Sequence, residues 1–474
     1  MNNLKVTLMY PNFKWGRGEG YTEWNIHPYN IGLLAAIIEK DYETKILDAN
    51  IDHLTRESFA EYLCKTKPDI LGVSVITNEY IMAGLSAAEI AKKVNHKIKT
   101  VMGGVSANSN PWPLIKNPNV DFVVVGEGEY VFQDLCNFLS GKSSHPRKGI
   151  MYKENGEIKD TGKSDLVSNL DDIPLPAYHL VDFMKYATHI QRESTDRPRA
   201  MPYARIRTSR GCPYNCCFCE VGSISGKKPR FRSLENIAKE FEWLIKDYGI
   251  KAVIFDDDNL VVNKERSKDL FKMMIEKKYN LKWNAPGMAV YKLDQEMIDL
   301  MKESGCEYLN IAIESGNQRV LKEIIRKPLN LEKAKGIMQQ IKKAGIDLVV
   351  NFVIGFPGET WSEIRQTLDF AEEIDVDYVK IFVATPFPNT ELFRMASEGG
   401  YLREDFDPNK HLWTDGWIET LEFRPQDLRI LRAYEWDRIN FTDSKKRKNI
   451  ARMMDITEER LNEIRKETLK RANP

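Results

Sequence analysis

Over the first 140 residues the apolar positions come in short unbroken runs separated by stretches of helical period. Val6–Tyr10 is such a run, bounded by Pro11, and Thr44–Asp48, Ile70–Ile76, Thr100–Met102 and Phe122–Val125 repeat it. Between them, Ile31–Glu39, Phe59–Lys65, Glu89–Val94 and residues 131–139 carry an apolar face at helical spacing. Runs without alternation suit strands buried on both faces. Strands alternating with helices imply a parallel sheet. Residues 1–140 therefore predict a doubly wound, Rossmann-like domain.

The pattern lapses over residues 141–199. Lys142, Ser143, Ser144, Pro146 and Gly149 interrupt it, and Pro174, Pro176 and Pro198 follow. Asn155-Gly156 between Met151–Lys153 and Ile158–Asp160 is a two-residue hairpin signal. This stretch predicts a linker with a small hairpin. From 200 to 395 the alternation returns with longer units. Its strands are Ala204–Thr208, Ala252–Asp256, Lys282–Ala285, Tyr308–Ile313, Leu348–Ile354 and Tyr378–Val383. One helix starts after Ser233, one runs through Met297–Glu303 and stops at Gly305, and one ends before Gly345. Thr360-Trp361-Ser362-Glu363 is a capping box opening another. Six strand–helix units predict a partial (β/α)6 barrel of the TIM type, with its site in the loops that follow the strands. Residues 396–474 are predicted helical, with Trp413, Trp417 and Trp436 packing a cap onto the barrel.

Charge changes little in this picture. Lys plus Arg and Asp plus Glu are equal at 69 each, so no global field draws the chain to nucleic acid or membrane. Only the last thirty or so residues are locally basic. No run is long and apolar enough for a transmembrane helix, and the N-terminal residues lack the apolar core of a signal peptide. The expected location is the cytoplasm. Cysteine usage changes the picture more. Four of the seven cysteines fall between 212 and 219, the opposite of a disulfide framework, and such a knot reads as a metal site.

The knot is Ser209-Arg210-Gly211-Cys212-Pro213-Tyr214-Asn215-Cys216-Cys217-Phe218-Cys219, directly after a predicted strand. Thiolates are the usual protein ligands of iron–sulfur clusters. A four-iron cubane on three cysteines keeps one iron open, as catalytic zinc keeps an open position. Structural zinc would need a fourth ligand, Cys217 or a distant histidine. Cys217 adjoins Cys216 and is expected to point elsewhere. Arg207 and Arg210 flank the loop, to stabilise its negative charge, to contact a carboxylate or to be solvated.

The spacing Cys212-x3-Cys216-x2-Cys219, with Phe218 before the last cysteine, resembles the signature of the radical S-adenosylmethionine (SAM) superfamily. The resemblance covers about 200–395. It implies a 4Fe–4S cluster on Cys212, Cys216 and Cys219, whose open iron chelates SAM and whose electron cleaves it to methionine and a 5′-deoxyadenosyl radical. It also implies SAM contacts from Phe218. Asp256, Asp257 and Asp258, beside Asn259, would lie near the methionine amine. Glu314 and Ser315, beside Gly316, would lie near the ribose. Gly355 and Gly358 of Gly355-Phe356-Pro357-Gly358-Glu359 would lie near the adenine, although glycine and proline there also suit a simple turn. Pro386-Phe387-Pro388-Asn389-Thr390 resembles the family's Pro-x-Pro-Gly-Thr. Asn389 replaces its glycine and tolerates positive φ better than most residues.

The strand ends of the first domain carry Asp48-Ala49-Asn50, Ser74-Val75-Ile76-Thr77, Gly103-Gly104-Val105 and Gly126-Glu127-Gly128-Glu129. Ligands of open α/β sheets bind at such ends. No GxGxxG opens a helix, which speaks against a nicotinamide cofactor. The arrangement, over roughly 1–140, resembles the cobalamin-binding domain that precedes the barrel in one large radical SAM subfamily, the class B methyltransferases among them. The resemblance implies cobalamin contacts from Tyr10, Asp48, Asn50, Ser74, Val75, Thr77, Gly103, Gly104, Val105, Gly126, Glu127 and Gly128. Where many cobalamin proteins have Asp-x-His-x-x-Gly, this chain has Tyr10-Pro11-Asn12-Phe13-Lys14-Trp15. His27 is expected to start a helix or to pack, so the cobalt would have no lower histidine. That favours homolytic methyl transfer.

Together these resemblances imply a cobalamin-dependent radical SAM C-methyltransferase. It would act on an unactivated carbon of a small molecule such as a lipid, tetrapyrrole or natural-product precursor. An external donor such as flavodoxin or ferredoxin would supply electrons, and nucleic acid is not an expected partner. The alternatives are a cyclase or rearrangement enzyme with the same cofactors, a tRNA methylthiotransferase, and a non-catalytic cobalamin carrier. A methylthiotransferase would need a second cluster on N-terminal cysteines, and only Cys64 and Cys136 exist there, both on predicted helices. Specificity is expected from the linker, the barrel mouth and the C-terminal region, with Tyr291, His411, Trp413 and Trp417 as candidates.

Overall fold

The structure, a computed structural model, describes residues 4–17, 27–188, 195, 197–408 and 416–472. His411 and Trp413 lie outside the described residues.

The first sheet contains β1 (Lys5–Tyr10), β2 (Glu43–Asp48), β3 (Ile70–Val75), β4 (Lys99–Gly104), β5 (Phe122–Val124), β6 (Ile150–Glu154) and β7 (Glu157–Asp160). Its order is β2-β1-β3-β4-β5-β6-β7. The first five strands are parallel and the last two antiparallel. Helices cover both faces, and two separate apolar clusters lie above and below the sheet, as the unbroken apolar runs require. The hairpin at Asn155-Gly156 is real, but it does not sit in a linker. β6 pairs with β5, so the hairpin lengthens the first sheet. Its exposed, charged outer strand Glu157–Asp160 forms that edge, which discourages further pairing.

The second sheet contains β8 (Tyr203–Ile206), then β11 (Ala252–Phe255), β12 (Lys282–Met288), β13 (Cys306–Glu314), β14 (Asp347–Ile354) and β15 (Tyr378–Val383), all parallel and adjacent in chain order. A small ribbon of β9 (Ser209–Arg210) and β10 (Arg230–Phe231) lies between β8 and β11 in the chain. β8 and β15 remain edges, so the barrel is open. Local signals set the helices between the strands. Ser233 caps helix Leu234–Tyr248, which ends on Gly249 at φ +63°, and the capping box of Thr360 and Glu363 opens helix Trp361–Glu373. Outside the sheet Trp283 stacks on Phe271 at 4.9 Å and meets Phe255 edge-on, fixing the outer helices.

The C-terminal helix Pro425–Phe441 covers the β15 edge. Asn440, fully buried, accepts from Val379 N and donates to Val379 O, replacing the ladder that the last strand lacks. Trp436 donates to Tyr378 Oη and Trp417 packs on Phe406, so both are packing residues. Among the described residues no helix is long and apolar enough to cross a membrane.

The cysteine loop and the facing strand ends

The cysteine loop leaves β8 and is closed at its neck where β9 pairs with β10. Asp257, at the end of β11, organises that neck. Its Oδ1 accepts from Thr208 N and Ser209 N, and its Oδ2 accepts from both hydroxyls. Asp258 accepts from Gly211 N at 2.7 Å. Asp256 forms a bidentate pair with Arg205 at 2.6 and 2.7 Å. The three carboxylates expected near the methionine amine are thus each bonded to the chain at the base of the loop. Crowding is relieved because each acid meets a different donor set. Gly211 sits at φ +94°, and a Cβ there would come within 2.8 Å of Lys228 O, so the turn into Cys212 needs glycine.

Cys212 and Cys216 are half-buried and Cys219 is exposed. The three thiols lie within electrostatic reach of one another. Cys217 is buried in the barrel core, its backbone bonded to Ile325 O and Leu392 N, so it points away from the other three as expected. Burial pushes the thiols of Cys212 and Cys216 up, Cys216 to about 11. Free, they are neutral. Iron supplies the positive charge that holds coordinating thiols deprotonated. The Asn259 side chain lies beside Cys212, and the Lys327 ammonium stands near Cys216. Among the described residues no three His, Cys, Asp or Glu side chains converge to hold a single metal ion. The corners of a cubane are more widely spaced, and three thiols with a lysine and an amide beside them suit it.

Glu314 ends β13 at φ +75° and pairs with Lys327 at 2.9 Å, both side chains 7% exposed. Ser315 turns inward to Thr367 Oγ1, and Gly316 packs against Thr367 and Phe370 so closely that no Cβ fits. The Ser315 hydroxyl, expected near the ribose, is thus buried and shared with Thr367. Gly355 (φ +91°) and Gly358 (φ +81°) shape the next turn, and a Cβ on Gly358 would meet Ile324 Cδ1 at 3.9 Å. Glu359 Oε2 accepts from Gly355 N and Phe356 N, and its Oε1 is buried without a partner. Burial pushes this carboxyl up to about 7. Phe356 of the turn meets Phe218 of the cysteine loop at 6.1 Å. Asn389 takes φ +68°, as the glycine it replaces would. Tyr291 packs edge-on against Tyr214 inside the cysteine loop.

The upper domain presents its strand ends toward this loop. Tyr10 and Val75 are buried, Ser74 is half-buried, and Asn50 lies beneath Phe13 N. Thr77 caps the turn Asn78–Tyr80. Asp48 is closed off, accepting from Asn50 N, Ile51 N and Tyr186 Oη, and burial pushes it up to about 6. The opening lies at Gly103-Gly104-Val105. A Cβ on Gly103 would meet nothing within 4 Å, whereas Gly104 sits at φ +92°. Gly126 donates to Asn108 Oδ1, and Gly128 starts helix Gly128–Leu139. Glu127, expected among the cobalamin contacts, is engaged by the protein. Its carboxylate faces the barrel, held by Arg230 at 2.7 and 2.8 Å, by Arg210 at 3.1 Å and by Val167 N. His27 is buried against Phe183, Tyr186 and Tyr203, and burial lowers it to about 3. Asn259, Lys327 and Glu359 also stand beside the cysteine loop and its neighbouring turns, and sequence reasoning did not single them out. Only Asn259 and Glu359, inside quoted motifs, had a signal; Lys327 had none.

A strand-end triad of thiols in an open parallel barrel, beneath a doubly wound domain with a glycine-lined strand-end opening, defines the class: a radical enzyme joined to a corrinoid-binding module. Residues 206–371 match the radical SAM superfamily and residues 22–136 the B12 binding domain. An uncharacterized methyltransferase of Pyrococcus horikoshii is 33% identical over 377 residues, 79% of this chain and 79% of the relative. The cytidylyl-2-hydroxyethylphosphonate methyltransferase of Streptomyces wedmorensis is 30% identical over 434 residues, 82% of this chain and 80% of the relative. The solved radical SAM methyltransferase TsrM from Kitasatospora setae shares the fold, with TM-score 0.73 and 17% identity over 93% of this chain and 90% of that one. The chain belongs to the cobalamin-binding radical SAM enzymes.

Proposed function

We propose that this chain transfers a methyl group to an unactivated carbon of a small molecule. The carrying observation is that both sets of strand-end loops meet. Arg210 and Glu220, on either flank of the cysteines, bond to loops of the cobalamin domain. Catalytic groups held in one crevice gain effective concentration. The methyltransferase names of the two relatives support the same reading.

In this reading Cys212, Cys216 and Cys219 hold the 4Fe–4S cluster. Glu314, Gly355, Gly358 and Phe218 line the SAM side. Gly103, Gly104, Val105 and Ser74 line the cobalamin side. When bound, the cluster and SAM supply hydrogen-atom abstraction, and cobalamin supplies the methyl group. The residues of the chain do the positioning. Asp257 and Asp258 fix the loop, Gly211 turns it, and Lys327 offsets negative charge near Cys216 while Glu314 balances Lys327. Tyr214 and Tyr291 cover the loop from water. In this reading cobalamin would have no lower ligand from His27, which is packed among aromatic rings. An external donor such as a flavodoxin or ferredoxin would supply the electrons, and nucleic acid is not an expected partner.

The test is anaerobic turnover with iron and sulfide assayed. It measures 5′-deoxyadenosine, S-adenosylhomocysteine and product mass together. Methyl transfer yields all three changes. 5′-Deoxyadenosine without S-adenosylhomocysteine replaces methyl transfer by cyclisation or rearrangement.

A further inference from the structure

The segment Arg210–Glu220 contains all three cluster cysteines, and both of its ends are tied to the other domain. Arg210 precedes Cys212 by two residues. Its guanidinium bonds Glu127 at 3.1 Å and Glu129 at 2.5 Å, after β5. Arg230, on the strand paired with Arg210, holds Glu127 from the other side at 2.7 Å. All four side chains are less than 10% exposed. Glu220 follows Cys219 directly. Its carboxylate accepts from Asn78 Nδ2 at 3.2 Å, after β3, and from Ser109 Oγ, after β4. A third tie runs from Asn389 Nδ2 to Asn108 O at 3.3 Å.

Each anchor adjoins a strand end that lines the proposed cobalamin opening. Asn78 follows Thr77, Ser109 closes the short helix that Val105 begins, and Glu127 stands between Gly126 and Gly128. A buried ion pair resists separation, because moving one partner leaves the other charge uncompensated. The cysteine loop therefore cannot shift without the strand-end loops shifting too. Anything that orders one side reduces the cost of ordering the other, and such coupling is reciprocal.

We propose that the cluster and cobalamin bind cooperatively, with Arg210 and Glu220 as the positioning residues that transmit the coupling. The proposal rests on the cobalamin reading above. It goes beyond docking, since rigid docking alone would leave each affinity independent of the other site.

The experiment uses the full chain without SAM or substrate. Hydroxocobalamin is titrated by absorbance into cluster-free protein and into anaerobically reconstituted protein of assayed iron and sulfide content. The cluster is expected to tighten binding by about tenfold, within the usual range of site–site coupling. The double variant Asn78→Ala with Ser109→Ala removes both donors to Glu220 and leaves the cysteine loop unaltered. It should reduce the ratio to about threefold or less by the same relation, with iron content and cluster-free affinity retained. Glu129→Gln tests the other flank in the same way, and should also lower the ratio. Equal affinities with and without the cluster overturn the coupling, as does a wild-type ratio in all these variants. A chain that binds no cobalamin in either state removes the cobalamin reading beneath the proposal instead.

Discussion

The two sets of strand ends use opposite chemistry. In the barrel, acids dominate, and almost every carboxylate is occupied by the protein itself: Asp256 by Arg205, Asp257 by the neck of the loop, Glu314 by Lys327, Glu359 by two backbone amides. In the upper domain, glycine dominates where the sheet opens, and Gly103 faces empty space. A metal loop must be held still by side chains that surround it, because its own residues are used as ligands. A large cofactor needs the backbone to approach closely, which only a missing Cβ permits.

Variants sharpen this contrast in order of expected effect. Cys216→Ala should abolish SAM cleavage and leave little bound iron, since the cluster loses one of three protein ligands. Iron assay with 5′-deoxyadenosine measurement checks it, and retained cleavage would sink the ligand assignment. Asp257→Ala should come next. It strands two backbone N–H groups and two hydroxyls at the neck, and should cost roughly 3 kcal/mol or more of stability. Denaturant unfolding reads that loss, and iron content should fall with it although no ligand has changed.

The upper domain should respond differently to its two neighbouring glycines. Gly104→Ala puts a Cβ 2.4 Å from Val75 O at φ +92° and should cost about 2 kcal/mol. Gly103→Val places its Cβ where nothing in the protein lies within 4 Å, and should leave unfolding unchanged while weakening hydroxocobalamin binding. Equal affinity in Gly103→Val would move the cofactor away from this strand end.

Glu359 gives a pH-dependent effect. Its carboxyl rises from 4.5 to about 7 on folding, so the folded chain holds a proton that the unfolded chain releases. Its stabilising contribution is full below about pH 4.5 and is lost as pH rises through 7. In Glu359→Gln this descent should vanish, read as the difference between variant and wild-type unfolding curves across that window. The smallest effect concerns cobalt. His27→Gln should leave the electron paramagnetic resonance spectrum of bound cob(II)alamin unchanged; a lost nitrogen coupling would make His27 a ligand after all.

Much of this was legible in the chain because it is local. Uninterrupted apolar runs with helices between them specify parallel strands, since a strand buried on both faces admits no alternation. The six barrel strands, the capping box at Thr360 and Glu363, and the turn at Asn389 follow from periodicity and backbone preference alone. Three thiols at fixed spacing after a strand make a candidate cluster site by ligand chemistry, wherever the rest of the chain goes. Tertiary structure decided which partner each charge takes. That Glu127 meets two arginines, that Asp257 meets the loop neck and that Lys327 lies near Cys216 depend on contacts between residues distant in sequence. The hairpin at Asn155-Gly156 makes the same point: the turn is written locally, but β5 beside it makes it part of the sheet. Ion pairs and edge pairing are satisfied by whichever group the fold brings near, and no pattern along the chain records that neighbour.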